Sequence, residues 1–122
     1  MRVFVLIIVT VFLVSCNKTK KQAKEDEEII ANYIAEHNLD ATKTESGLYY
    51  VVNEEGVGEH PTINSEVTVA YKGYLTDQTV FDESDTTGIT FSLTSVIEGW
   101  QEGIPYFKPG GRGILLIPSA LG

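Results

Sequence analysis

Glu66 to Leu75 reads Glu-Val-Thr-Val-Ala-Tyr-Lys-Gly-Tyr-Leu, and no other segment restricts the fold as much. Val67, Val69, Tyr71, Gly73 and Leu75 fall on one face by period-2 alternation, and Thr68, Ala70, Lys72 and Tyr74 fall on the other. A helix would scatter the same residues round its circumference; a strand gathers them on one side. The segment is therefore a strand with one face turned to a core. Leu48 to Val52 is a second, aromatic and β-branched strand bounded by Gly47, Gly56 and Gly58. Val80 to Asp82 and Thr90 to Leu93 are short extended pieces separated by the polar stretch Glu83 to Gly88. Ile114 to Ile117 is four consecutive large apolar residues, the pattern of a strand covered on both faces.

Two helices punctuate these strands. Ser95 followed three residues later by Glu98 matches a capping box, and predicts a helix from about Val96 to Ile104 with Ile97, Trp100 and Ile104 on one side. Pro105 closes it, because proline disfavours the α conformation in the residue before it. Upstream, Glu25-Asp26-Glu27-Glu28 supplies an acidic first turn. Ile29, Ile30, Tyr33, Ile34 and His37 then recur at a 3.6-residue period, and the helix stops near Asn38 to Asp40. Its apolar face must cover something, either the neighbouring domain or a second copy. The order helix, strands, short helix, strand gives an α+β fold with an antiparallel sheet.

The first fifteen residues belong to a different category. Arg2 precedes Val3 to Val14, twelve positions broken only by Thr10. A spanning helix needs about 20 apolar residues, so this run is too short and reads as a secretory leader. It ends in Leu13-Val14-Ser15-Cys16, which resembles the bacterial lipobox. That resemblance makes Cys16 the lipidated first residue of the mature chain, anchored in a bilayer by palmitate-like acyl chains, of which two give stable attachment. The chain then divides into a leader (1–15), a lysine-rich tether (16–24), a helix and connector (25–45) and a domain (46–122).

Several functions are excluded early. The formal net charge is −8 and no basic stripe exists, which argues against nucleic acid as a partner. One cysteine forbids an internal disulfide framework or a multi-cysteine zinc site. His37 lies on a helix face and His60 in a loop before Pro61, with nothing at ligand spacing, so neither a metal nor a cofactor is expected. Gly110-Gly111-Arg112-Gly113 lacks the lysine and hydroxyl of a phosphate loop. Glu27-Glu28 and Glu54-Glu55 read as solvated faces.

Aromatic density stands out instead. Seven of the twelve aromatics, Tyr71, Tyr74, Phe81, Phe91, Trp100, Tyr106 and Phe107, fall within 37 residues. By spacing they form either a small aromatic core or the wall of a concave pocket. The blocks Val69-Ala70-Tyr71-Lys72-Gly73, Val80-Phe81-Asp82-Glu83-Ser84, Phe91, Val96-Ile97-Glu98-Gly99-Trp100, Gly110-Gly111 and Ile117-Pro118-Ser119-Ala120-Leu121-Gly122, in that order, resemble the FKBP family of macrolide-binding peptidyl-prolyl cis–trans isomerases. The likeness covers Gly47 to Gly122. It implies an FKBP-like antiparallel sheet wrapped on a short helix, preceded here by a separate helix. It assigns Tyr71, Phe81 and Asp82 to catalysis, and Phe91, Val96, Ile97 and Trp100 to substrate binding. Its partners are X–Pro polypeptides and a macrolide ligand. With Cys16 it points to the lipid-anchored bacterial branch, in the cell envelope at the outer membrane or facing the periplasm, assisting the folding of exported proteins.

Some features depart from the family. Ala70 stands where it often has histidine and Lys72 where it often has threonine, both off the pocket face. In the family a pocket tyrosine, a long loop and a final strand follow the position of Gly122. The expectation is a fragment of a longer protein, with strand edges open where the final strand belongs. A proline-segment-binding chaperone module without turnover, or an inactive fragment, are the competing readings.

Overall fold

A computed structural model describes residues 3–10, by their backbone, and 20–122. The elements are β1 (Val3–Thr10), α1 (Lys20–Glu36), β2 (Thr42–Lys43), β3 (Tyr49–Glu54), β4 (Glu66–Tyr74), β5 (Val80–Glu83), β6 (Ile89–Ser92), α2 (Glu98–Gly103) and β7 (Arg112–Ile117). The strands join one sheet in the order β2-β3-β7-β1-β4-β5, and β6 shares the outer edge of β4 with β5. The pairings among β2 to β7 are antiparallel, as expected for an FKBP-like α+β domain.

Each strand read from alternation is present within two residues of its expected ends. β7 shows why its sequence lacks polar interruptions. Leu115 and Ile117 enter a main core with Leu48, Val67, Val69, Leu93, Trp100, Ile104 and Phe107. Leu116 and the partly buried Ile114 face the other way, toward Ile30 and Tyr33 of α1. The helix thus covers the domain, the first of its two expected occupants. On the opposite face α2 lies directly on β7. A Cβ at Gly103 would stand 2.5 Å from Leu115 Cδ2, and one at Gly99 would stand 2.7 Å from Ile117 Cγ2. Glycine at these positions lets helix and strand approach at backbone distance.

Two expectations are corrected. The expected tether runs to residue 24, but α1 begins at Lys20. Lysine, glutamine and alanine are good helix formers, and an apolar stripe is not required to start a helix that is docked further along. Glu25 to Glu28 therefore lie inside the helix, not in its first turn, and Asp26 is 1% exposed. Secondly, Ser95 does not cap α2. Its hydroxyl donates to the Ser92 carbonyl at 2.7 Å, closing a 3-10 turn over Leu93–Ser95, whose own cap is Ser92. Val96 and Ile97 are extended, and α2 starts at Glu98 with Ile97 as an N-cap that offers no side-chain bond.

Val3–Thr10, the apolar run of the expected leader, forms a strand between β4 and β7, parallel to both. A slot between two strands presents two rows of unpaired N–H and C=O groups, and a β-branched run is the segment best suited to pair with them. The proposed lipidation residue Cys16 lies outside the described residues. Among the described residues no helix is long and apolar enough to cross a membrane.

One buried carboxylate ties α1 to the far end of the domain. Asp26 Oδ2 accepts the Ser119 backbone N–H at 2.9 Å and the Ser119 hydroxyl at 2.5 Å. Its Oδ1 accepts Gln22 Nε2 at 2.9 Å. Removing the carboxylate leaves the buried donors of Ser119 without their acceptor, and hydrogen bonds to charged groups contribute about 1.5–3 kcal/mol each. Asp26→Ala is expected to lower stability by about 2–4 kcal/mol, measured by denaturant titration, while an exposed control, Glu28→Ala, shifts it by less than about 0.5 kcal/mol.

Candidate functional site

β4 carries the core face of the sheet outward from Val67 and Val69 to Tyr71, where the face ceases to be fully buried. β5 runs antiparallel beside it, with Lys72 opposite Glu83 and Gly73 opposite Asp82. This register sets Asp82 diagonal to Tyr71, and the Tyr71 hydroxyl donates to Asp82 Oδ2 at 2.5 Å. The chain beyond β5 stays pinned to the same residue. The Tyr71 N–H donates to Ser84 Oγ and the Ser84 N–H to the Tyr71 carbonyl, both at 2.9 Å. Asp85 then accepts the backbone N–H groups of Thr87 and Gly88 at 3.0 Å, ordering the turn that leads into β6.

The short helix closes the opposite side. Trp100, 8% exposed, stands edge-on to Tyr71 with ring centroids 4.9 Å apart and an 82° interplanar angle. Phe91 of β6 lies 5.2 Å from the same indole. Gln101 Nε2 donates to the Val96 carbonyl at 2.8 Å, holding the extended Val96-Ile97 approach to the helix. Together these elements enclose a pocket of about 370 Å³. Its walls contain all seven residues singled out from the sequence: Tyr71, Phe81, Asp82, Phe91, Val96, Ile97 and Trp100. Ala70 and Lys72 do not line it, in keeping with strand alternation.

Gly73, Ile89 and Ser95 complete the lining and were not singled out. The signal for Gly73 was available, since it shares the face of Tyr71. A Cβ there would meet the Phe81 ring at 2.9 Å, so glycine lets that ring lie across the strand. Ile89 belongs to a short strand with no alternation of its own, and Ser95 was assigned to a cap that does not form.

The chemistry available is restricted. Tyr71 and Asp82 are the titratable groups of the lining, and no histidine, cysteine or lysine joins them. Among the described residues no cluster of three metal-ligating side chains exists. Burial first, and then the hydrogen bond and charge of Asp82, push the Tyr71 phenol up to about 12. It therefore remains a neutral donor at any physiological pH. The pocket can hold an apolar ring against Trp100 and present one carboxylate–phenol pair beside it, without a nucleophile–base arrangement. A larger cleft of about 490 Å³ lies between α1 and Pro118–Ala120, but it is lined by lysines and carboxylates from Lys20 to Glu45 and has no aromatic wall.

Residues 57–122 match the family model of FKBP-type peptidyl-prolyl cis-trans isomerases. The chain is 43% identical over 108 residues to the probable FKBP-type isomerase FkpA of Neisseria meningitidis, a match covering 85% of this chain and 40% of the relative. It is 46% identical over 90 residues to the peptidyl-prolyl cis-trans isomerase Mip of Coxiella burnetii, covering 71% and 39%. The crystal structure of FkpA from Escherichia coli superposes with a TM-score of 0.58 at 35% identity, over 75% of this chain and 46% of that one. The chain thus spans about 40% of the length of these curated relatives.

The Tyr71 shift gives a spectroscopic test. A phenol whose folded pKa is raised stabilises the fold below its unfolded pKa, and that contribution is lost as pH rises from about 10 through about 12. The absorbance difference between the parent and Tyr71→Phe is expected to show one phenol ionising near pH 12. Because burial is the largest cause, Asp82→Asn should move this transition only part of the way back toward 10.

Proposed function

The chain belongs to the FKBP-type peptidyl-prolyl cis–trans isomerases, and we propose that its pocket catalyses rotation about X–Pro bonds in polypeptides of the bacterial envelope. The observation that carries this reading is the convergence of Tyr71, Phe81, Asp82, Phe91, Val96, Ile97 and Trp100 on one apolar cavity of about 370 Å³. The rotation is slow because amide resonance must be broken, with a barrier of about 18–20 kcal/mol. No covalent step is needed. A site that binds the twisted amide better than either planar form is sufficient, and each ~1.36 kcal/mol of that preference is worth tenfold in rate.

In this mechanism the proline ring sits on Trp100, between Phe91 and the Val96-Ile97 segment. The twisted amide has lost charge separation, so an apolar cavity disfavours it less than the planar forms. Phe81, half-exposed over Gly73, covers the chain entering the pocket. Tyr71 orients Asp82 through the 2.5 Å bond, and the carboxylate meets the carbonyl carbon of the rotating amide, where positive character develops. A macrolide with a proline-like ring would occupy the same cavity.

The leader ending at Cys16 supports location at the envelope, with the mature chain held to a membrane by acyl chains on that cysteine. Lipidation there would remove Val3–Thr10 from the sheet, because cleavage precedes Cys16. Cys16→Ser should move the protein from the membrane fraction to the soluble fraction of a host that processes lipoproteins.

Isomerisation of an X–Pro peptide by the full chain tests the enzymatic reading. Asp82→Ala and Phe81→Ala are each expected to lower kcat/KM by about tenfold or more, a loss of about 1.4 kcal/mol of transition-state stabilisation. Both residues are exposed, so melting temperature should change little. A folded chain with no rate above the uncatalysed background overturns this reading. Tight macrolide binding, seen by Trp100 fluorescence without turnover, would then assign the pocket to segment binding.

A further inference from the structure

The pocket lies in a stretch of chain that carries charge of one sign. From Gly73 to Phe107 there is no lysine, arginine or histidine, while Asp77, Asp82, Glu83, Asp85, Glu98 and Glu102 are all acidic. Every lining residue except Tyr71 comes from this stretch. The two ion pairs among the described residues, Lys43–Glu27 and Arg112–Glu54, involve none of these six carboxylates. The side-chain hydroxyls of Thr79 and Thr87 first, and backbone N–H groups after them, hold the carboxyls of Asp77 and Asp85 below the usual range. Asp82 is in the wall itself, and Glu98 directly follows Ile97 of the rim.

The rim around that charge is apolar and open to solvent. Phe81 is 50% exposed, Ile89 44% and Ile97 40%. Low-dielectric walls lined by one sign of charge concentrate the field at a cleft mouth. A residue flanking the bound proline has to leave the pocket across this rim. Lysine and arginine fit such a surface, since their methylene stems cover apolar groups while the head group stays in water near the carboxylates. Lys72 stands across the strand from Glu83 and offsets one of these charges, and an aspartate or glutamate at the rim meets the net negative field of the others.

We propose that this site selects X–Pro segments flanked by lysine or arginine over those flanked by acidic residues. The inference deepens the isomerase reading and rests on it for turnover, but the preference also shows in binding alone. Asp82 supplies part of the field and also serves the reaction. The part that can be altered separately belongs to Glu83 and Glu98, which do not line the pocket.

The test uses three peptides with one X–Pro core, flanked by lysine, glutamine or glutamate. The full chain is assayed by protease-free NMR exchange and by Trp100 fluorescence at about 20 mM and about 500 mM salt. At low salt the lysine peptide should be favoured over the glutamate peptide by about tenfold in both readouts. The ratio should fall toward one at high salt, where the Debye length shrinks to about 4 Å. The double variant Glu83→Gln/Glu98→Gln should reduce the ratio severalfold and leave the glutamine peptide's rate unchanged. Equal treatment of the lysine and glutamate peptides at low salt overturns the proposal. If the glutamine peptide is bound but not turned over, isomerase activity fails, and the fluorescence ratio still decides the charge preference.

Discussion

The two-sided burial of β7 is the constraint on which the rest of the fold depends. Leu115, Leu116 and Ile117 have no accessible surface, and they point alternately to two different cores. Such a strand is stable only if something apolar lies on each side, because each exposed leucine or isoleucine forgoes about 1.5–3 kcal/mol of burial. α2 meets one side at backbone distance and α1 meets the other. With α2 fixed on Leu115 and Ile117, Trp100 stands at a set height above the sheet. That places its indole against Tyr71 and Phe91, so the pocket floor follows from packing on the neighbouring strand.

The Tyr71–Asp82 pair links this packing to chemistry. Tyr71 is held through its ring by Trp100, through its backbone by Ser84 and through its hydroxyl by Asp82. Three attachments from two segments, α2 and the Asp82–Ser84 stretch, leave the pair little freedom. In the proposed isomerisation, a carboxylate held this way would meet a transient charge without reorganising as the charge appears. The phenol stays protonated over the pH range in which proteins fold, so the arrangement does not depend on a titration near neutrality.

What could be read from residue order was whatever depends on near neighbours. Period-2 alternation identified β4, the unbroken Ile114 to Ile117 run announced a doubly covered strand, and 3.6-residue spacing found the helix that covers it. The pocket was different. Spacing could not separate an aromatic core from an aromatic wall, and the structure shows that Trp100 and Phe91 are both: they pack on the main core and line the cavity. Their grouping came from the order of motif blocks. The misreadings share a cause. Asp26 finds its partner at Ser119, 93 residues away, and nothing around Asp26 marks it as buried. Ser95 had a competing acceptor in the preceding turn, which a two-residue capping pattern does not register. Lys20 to Lys24 lacks an apolar stripe because that first turn and a half of α1 needs no core of its own.

The placement of Val3–Thr10 in the sheet makes timing a property of this chain. These residues are made before β4 and β7, the two strands between which they lie. Contacts so distant along the chain form slowly, because a large loop must close before any ladder bond compensates it. Until β4 and β7 are made, the segment lacks its two ladder partners. Once β7 emerges, the same residues acquire partners on both sides. Both ladders of this stretch of backbone therefore close only after β7 exists, which makes completion of the sheet a late event of its assembly.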